Sequence, residues 1–188
     1  PISDAATFMR PANLRGLAPD HTLILVNGKR RHRGAVITWN GNGISNGSQG
    51  PDISVIPTIA LKSVEVLRDG ASSIYGSDAI AGVINFQLQD ASDGGKLELR
   101  SGQYSAGDGQ QTTVAMNKGF ELGTNGFVNM SLEYGNADAT SRSKQRVDAA
   151  ALIDAGFQDV PNPAMIWGKP KVDNDIKPFG RLGNVCKS

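Results

Sequence analysis

The sequence predicts a small α+β module, a twisted mixed sheet with short helices, followed by the opening strands of an antiparallel transmembrane β-barrel. Three observations lead there. The stretch Asp52 to Phe86 packs two apolar strand-like runs, around Val64–Leu67 and Gly82–Phe86, about a short Ala/Ser/Gly segment. Residues 57–68 and 71–88 repeat the same helix-then-strand order, as expected of a sheet with helices on one side. After Asp90 the pattern changes to apolar/polar alternation over strands of about ten residues, the dyad pattern of barrel strands.

Taken in order, residues 1–20 are irregular and punctuated by Pro11 and Pro19. Thr22–Val26 is a continuous apolar run, the mark of a strand covered on both faces. Asn27-Gly28 follows, a strong hairpin signal because both central residues of a type I′ turn need positive φ, so the chain should return through Lys29 to His32. Residues 34–51 hold five glycines and three asparagines and read as a long loop, usually a functional element when it occurs in a compact domain. Within it Trp39, Asn40 and Asn42 offer stacking and hydrogen bonds to a ligand.

Pro57 suits the first position of a short helix running to Lys62. Ser63 to Arg68 is then a strand with Val64 and Val66 on one face and Glu65 on the other. Asp69-Gly70 breaks it, Ala71 to Tyr75 makes a helical turn, and Gly82 to Leu88 is the next strand. A boundary is expected at 91–95, between a first unit (1–90) and a second (91–188). Barrel-type strands are expected at about 96–104, 111–119 and 126–135, consecutive and antiparallel because their connections are short. The same alternation also suits an edge-exposed soluble meander. Beyond residue 136 the sequence predicts a helix over 147–155, a Pro- and Lys-rich loop through Pro178 and a further strand near 179–185.

The bulk numbers exclude several functions. Nineteen basic and 18 acidic side chains leave a net charge of +1, so no long-range field favours nucleic acid. The cluster Lys29-Arg30-Arg31-His32-Arg33 lacks the interleaved aromatics of a single-strand binding face. One cysteine, Cys186, excludes an intrachain disulfide and a cysteine-rich metal site. No apolar run approaches the roughly 20 residues of a membrane helix, which leaves barrel strands untouched as a possibility. The opening at Pro1, with neither initiator Met nor signal-peptide character, is expected of a processed chain or of an internal segment.

No active site assembles from the sequence. His21 and His32 lack companion ligands for zinc, and Asp173-Asn174-Asp175 lacks the later Gly and Glu of a calcium loop. Gly41-Asn42-Gly43 lacks the third glycine of a dinucleotide fingerprint. Ser72 and Ser73 sit in no nucleophile elbow, and no histidine follows them. The expectation is a protein that is not an enzyme and carries no metal or other cofactor.

A resemblance organises these readings. Asn13-Leu14-Arg15-Gly16-Leu17, then Thr22–Arg30, then Ile56-Pro57 leading into Val64 to Asn85 resembles the plug domain of TonB-dependent outer-membrane receptors, in order, spacing and wording. The second half is similar to the first barrel strands of the same family. Such barrels, of about 22 strands around a plugged lumen, need well over roughly 200 residues, so the resemblance implies a fragment of a longer protein.

It also implies an outer-membrane location and active transport without catalysis. A scarce or bulky ligand (siderophore, cobalamin, glycan or peptide) would bind at the extracellular mouth, and a TonB-type energising inner-membrane complex would pull on a segment before the plug. No such segment is legible in residues 1–10. Outer-membrane lipid would surround the barrel. The ligand-facing loop would include Arg33, Trp39, Asn40 and Asn42, and Arg15, Glu65 and Arg68 would make plug-to-barrel electrostatic contacts. The competing reading is a soluble plug-like binding module without transport.

Overall fold

The computed structural model describes residues 11–37, 46–68, 70–163 and 168–184. Two four-stranded sheets organise them. The first comprises β1 (Thr22–Val26), β2 (Lys29–Arg30), β3 (Leu61–Leu67) and β4 (Gly82–Leu88), in the order β2-β1-β4-β3. The pairing is mixed: β1 runs parallel to β4, while β2 and β3 are antiparallel to their neighbours.

β1 is apolar from Leu23 to Val26 because both its faces are covered. Leu23, Leu25 and Val83 pack on Ala71 and Ala79, the small residues of helix α1 (Ala71–Tyr75) and of the 3-10 turn that follows it. On the opposite face Ile24, Phe86 and Leu88 pack on Ile56, with Ile53, Leu61 and Phe179 around them. Small side chains on α1 let the helix sit close to the sheet. Gly82, at the start of β4, leaves no room for a side chain: at φ +137° a Cβ there would lie 2.5 Å from the Leu67 carbonyl oxygen of β3.

The Asn27-Gly28 turn forms as its sequence requires, with φ of 49° and 76°. It is also tied to β4. The Asn27 Oδ1 accepts the Leu88 N–H at 2.9 Å, and the Asn85 Oδ1 accepts the Gly28 N–H at 3.0 Å. After Pro57 the expected short helix is a single 3-10 turn, Thr58–Ala60, and β3 begins at Leu61. The terminal strand β3 is exposed on both faces along most of its length.

The second sheet is wholly antiparallel, in the order β5 (Gly95–Gly102), β6 (Gln111–Leu122), β7 (Gly126–Ala137), β8 (Val172–Asn184). Its strands β6 and β7 run past their expected ends at 119 and 135. Helix α2 (Val147–Asp154) lies in the connection between β7 and β8. The larger correction concerns β8. The segment expected to be loop through Pro178 is strand from Val172 onward, because pairing to β7 begins there and continues to Asn184. Pro178 lies opposite Leu132 on the outermost strand, where a missing N–H is tolerated.

Register puts the side chains into two ladders. On one face Leu99, Val114, Tyr134 and Ile176 form one rung, and Leu97, Met116, Leu132 and Pro178 the next. These apolar side chains face out of the structure, Leu97 and Leu99 being 68% and 73% exposed. On the other face the rungs are mostly polar or small, Glu98, Ala115, Glu133 and Lys177, then Asn117 and Ser131, with the aromatic Phe179 closing the second. Ala115, Phe127, Asn129 and Ser131 are buried on this face. A sheet that exposes its apolar side and buries its polar side is inverted relative to a water-soluble one, and is consistent with early barrel strands. Among the described residues no helix is long and apolar enough to cross a membrane.

Candidate functional site

Two places carry the geometry that bears on function: the seam where the polar face of the second sheet meets the first sheet, and the surface around the Lys29–Arg33 return.

At the seam, barrel-type strands grip the chain where it leaves β4. The Arg181 guanidinium donates to the Leu88 carbonyl at 2.7 Å and lies 5.4 Å from the Phe127 ring centroid. The Asn129 Nδ2 donates to the Ala91 carbonyl at 3.2 Å, and its Oδ1 accepts from Asn117 Nδ2 at 2.5 Å. Asn117 Nδ2 also donates to Ser131 Oγ at 2.8 Å, so three buried or half-buried polar side chains satisfy one another. Gly119 completes the contact, since a Cβ there would lie 2.3 Å from the Ala91 carbonyl oxygen. Arg100 donates to Thr58 Oγ1 at 3.0 Å, and Phe179 reaches into the cluster around Phe86. On the same inward face Lys177 bridges Glu133 and Asp175 at 3.0 and 3.1 Å.

Around the return, Asp78 holds two arginines. Its carboxylate accepts Arg30 at 2.6 Å and Arg33 at 3.3 Å, and Arg30 also donates to the Tyr75 carbonyl at 2.5 Å. These contacts fasten β2 and the residues after it to the end of α1. The loop returns to the same place: Asp20 accepts the Gln49 N–H at 2.7 Å, and the Gln49 side chain donates to the Gly34 carbonyl at 2.7 Å.

The sequence-predicted residues fall as follows. Arg33 sits at this return, paired with Asp78. Trp39, Asn40 and Asn42 lie outside the described residues. Arg15 adopts φ +58° beside Gly16 at φ +69°, in an exposed turn. Glu65 accepts from Asn85 Nδ2 at 3.0 Å and Gln87 Nε2 at 3.3 Å, a row across the exposed face of β3 and β4. Arg68, beyond the end of β3, is exposed and makes no hydrogen bond or ion pair among the described residues. The seam residues Arg181, Asn129, Asn117 and Gly119 were not singled out in the sequence. The polar side chains of β8 at alternate positions, Asp175, Lys177 and Arg181, carried the signal that could have found them.

Outside the strands, the connection between β7 and β8 is pinned to the one between β5 and β6. Arg142 makes a two-pronged ion pair with Asp108, one arm at 2.6 Å. The hydrogen bond from Arg142 holds the Asp108 carboxyl below the usual carboxylate range, and the same bond raises Arg142. Asp148 at the start of α2 is lowered by its bond from Arg146 and by the Ala149 N–H.

Comparison with known proteins agrees with this geometry. The family model described as TonB-dependent Receptor Plug Domain matches residues 3–83. A probable TonB-dependent siderophore receptor, PirA, of Acinetobacter baumannii is 41% identical over 78 residues, 40% of this chain and 10% of the relative. The ferric enterobactin receptor of Pseudomonas aeruginosa is 30% identical over 168 residues, 81% of this chain and 22% of the relative. The vitamin B12 transporter BtuB of Vibrio vulnificus is 36% identical over 74 residues, 39% of this chain and 10% of the relative. The matched part thus covers between 10% and 22% of these relatives' lengths. TonB-dependent receptors are transporters, not enzymes. Residues 3–83 of this chain thus match the TonB-dependent receptor plug domain, and the chain continues from the matched part into a four-stranded sheet consistent with early barrel strands.

Proposed function

We propose that this chain is the plug and the first barrel strands of an outer-membrane receptor for energy-coupled uptake of a scarce or bulky nutrient in a Gram-negative-type bacterium. Residues 1–90 form the gate and residues 91–188 open the barrel. The observation that carries this reading is the inverted second sheet. Its outward face is largely apolar and suited to lipid, with Lys118 as the charged exception on β6, and its inward face spends its polar groups on the exit of the plug. A TonB-type inner-membrane complex supplies the energy. The ligand class is that of the relatives' names, a ferric siderophore or a cobalamin.

Arg33, Trp39, Asn40 and Asn42 are assigned to the ligand-facing side of the plug. Arg15, Glu65 and Arg68 are assigned to contacts with barrel strands beyond those described. Support for the second assignment comes from β3 and the Arg68 that follows it, which are exposed along most of their length and so leave charged groups available to further strands.

The test is uptake by cells carrying the full-length gene in a host stripped of its own receptors. Expected is TonB-dependent accumulation of iron from one ferric siderophore, or of cobalamin, with the protein in the outer membrane in heat-modifiable form. Recovery in the soluble periplasm, or uptake unaffected by loss of TonB, would overturn the reading in favour of a soluble binding module.

A further inference from the structure

We propose that the plug carries a small-oxyanion site, a pocket of about 180 Å³ between the start of β1 and the Lys29–Arg33 return, with Thr22 and Arg31 as its hydrogen-bond donors. The site belongs to the plug alone and does not depend on the transport reading.

The argument begins with unmade hydrogen bonds. Thr22 is 3% exposed and its Oγ1 has no partner. The Nε of Arg31 is likewise buried and unpartnered. Buried polar groups are almost always paired, with protein or with something bound, so two unpaired groups lining one cavity mark a place suited to an occupant. Ser48, next to the pocket residue Gln49, adds a third buried polar atom without a partner.

Charge then selects the occupant. Five charged side chains line the pocket besides His32: Arg30, Arg31, Arg33, Asp20 and Asp78. Asp78 is shared between Arg30 and Arg33, and Asp20 accepts the Gln49 N–H. Three arginines face two carboxylates, and Arg31, the one arginine of the three without an ion pair among the described residues, also carries the orphan donor. A guanidinium N–H offers only donation, and a hydroxyl can donate beside it, which fits an acceptor-rich anion such as a carboxylate or phosphate. The donors are also held in place. The Arg31 N–H donates to the Ile24 carbonyl at 2.9 Å, fixing the return against β1 two residues from Thr22. The pocket is open on one side, so either a free ion or an oxyanion group on a larger solute can enter.

The test is calorimetric titration of the purified full-length receptor in detergent, in low-salt buffer, with inorganic phosphate and with phenyl phosphate. Expected is saturable phosphate binding that Thr22→Val and Arg31→Gln each weaken roughly tenfold or more, as charge-assisted bonds require. Arg31→Lys keeps the charge but removes the Nε–H, and should weaken binding as well. Lys29→Gln, an exposed cation outside the pocket, should leave it unchanged. Binding of both probes points to a group carried on a larger solute, and of phosphate alone to the free ion. No saturable phosphate binding to the wild type, or equal affinity in the Thr22 and Arg31 variants, overturns the proposal. Nutrient uptake is unaffected by that failure, and a failure of uptake leaves phosphate binding standing, so the two results are separable.

Discussion

Arg181 is the side chain through which the second sheet takes hold of the first. It satisfies the Leu88 carbonyl at the last residue of β4 and stacks near Phe127, so its loss removes both a bond and a packed cation. Arg181→Met should lower stability by about 1–3 kcal/mol, the cost of leaving a buried acceptor unpaired, read as a drop in the urea midpoint of the full-length receptor. An unchanged midpoint would mean that the other seam contacts, from Asn129, Gly119, Arg100 and Phe179, hold without Arg181. The sequence marks Arg181 only through the spacing of charges along β8, and says nothing of its partner, which lies 93 residues away in the chain. Asn27-Gly28, by contrast, was legible at once, since the positive φ that it adopts is a local demand of the turn. The Thr22 and Arg31 pocket escaped sequence reading for the same reason as the seam: an unpaired donor is a property of packing. Asp108 and Arg142 make a further prediction at this scale. Asp108 titrates below its ordinary value because of Arg142, so the clamp is fully formed above the ordinary carboxylate pKa of about 3.9 and is lost as pH falls through the lowered one. In pepsin digests of the full-length receptor, the wild-type connection between β7 and β8 should resist cleavage better than Arg142→Gln near pH 4.5, roughly, and no better once Asp108 is protonated. Equal cleavage at both pH values would show that the clamp does not restrain the connection.

Among the elements, β6 and β8 teach different lessons. β6 announces itself by alternation, and the structure adds only its true length and the fact that its polar side faces inward. β8 alternates too, but its outward positions include Pro178 and Gly180, and its inward ones include Asp175, Lys177 and Arg181 beside Phe179. A search for apolar residues at every second position passes over such a strand. In a barrel the lumen side is polar, so the charged positions carry the period instead. The parallel pairing of β1 with β4 was equally hidden, because strands joined by such long connections leave no mark of their pairing in local sequence. The lipid-facing reading of β6 yields a test. Met116→Arg puts a charge within the apolar rungs and should destabilise the full-length receptor refolded into bilayers by up to about 2–4 kcal/mol at the membrane midplane. Thr113→Lys, on the inward side of the same strand, should stay within about 0.5 kcal/mol. Equal penalties would return the sheet to the soluble meander that the sequence alone also allowed.

For the molecule as a whole, the direction of strand pairing governs how the plug answers a force. Because β1 and β4 are parallel, the upstream end of β1 and the downstream end of β4 lie at opposite ends of the pair. Arg181 and Asn129 moor the chain just beyond that downstream end, at Leu88 to Ala91. Tension applied upstream of Thr22 therefore acts along the strands in shear, loading all five register pairs from Thr22↔Gly82 to Val26↔Phe86 together. The antiparallel pair is built the other way. Leu61 lies opposite Leu88, so tension entering β3 at Leu61 would open its bonds in turn, like a zipper. One sheet thus contains a clamp and a tear line, and a pull that arrives from the N-terminal side meets the clamp first.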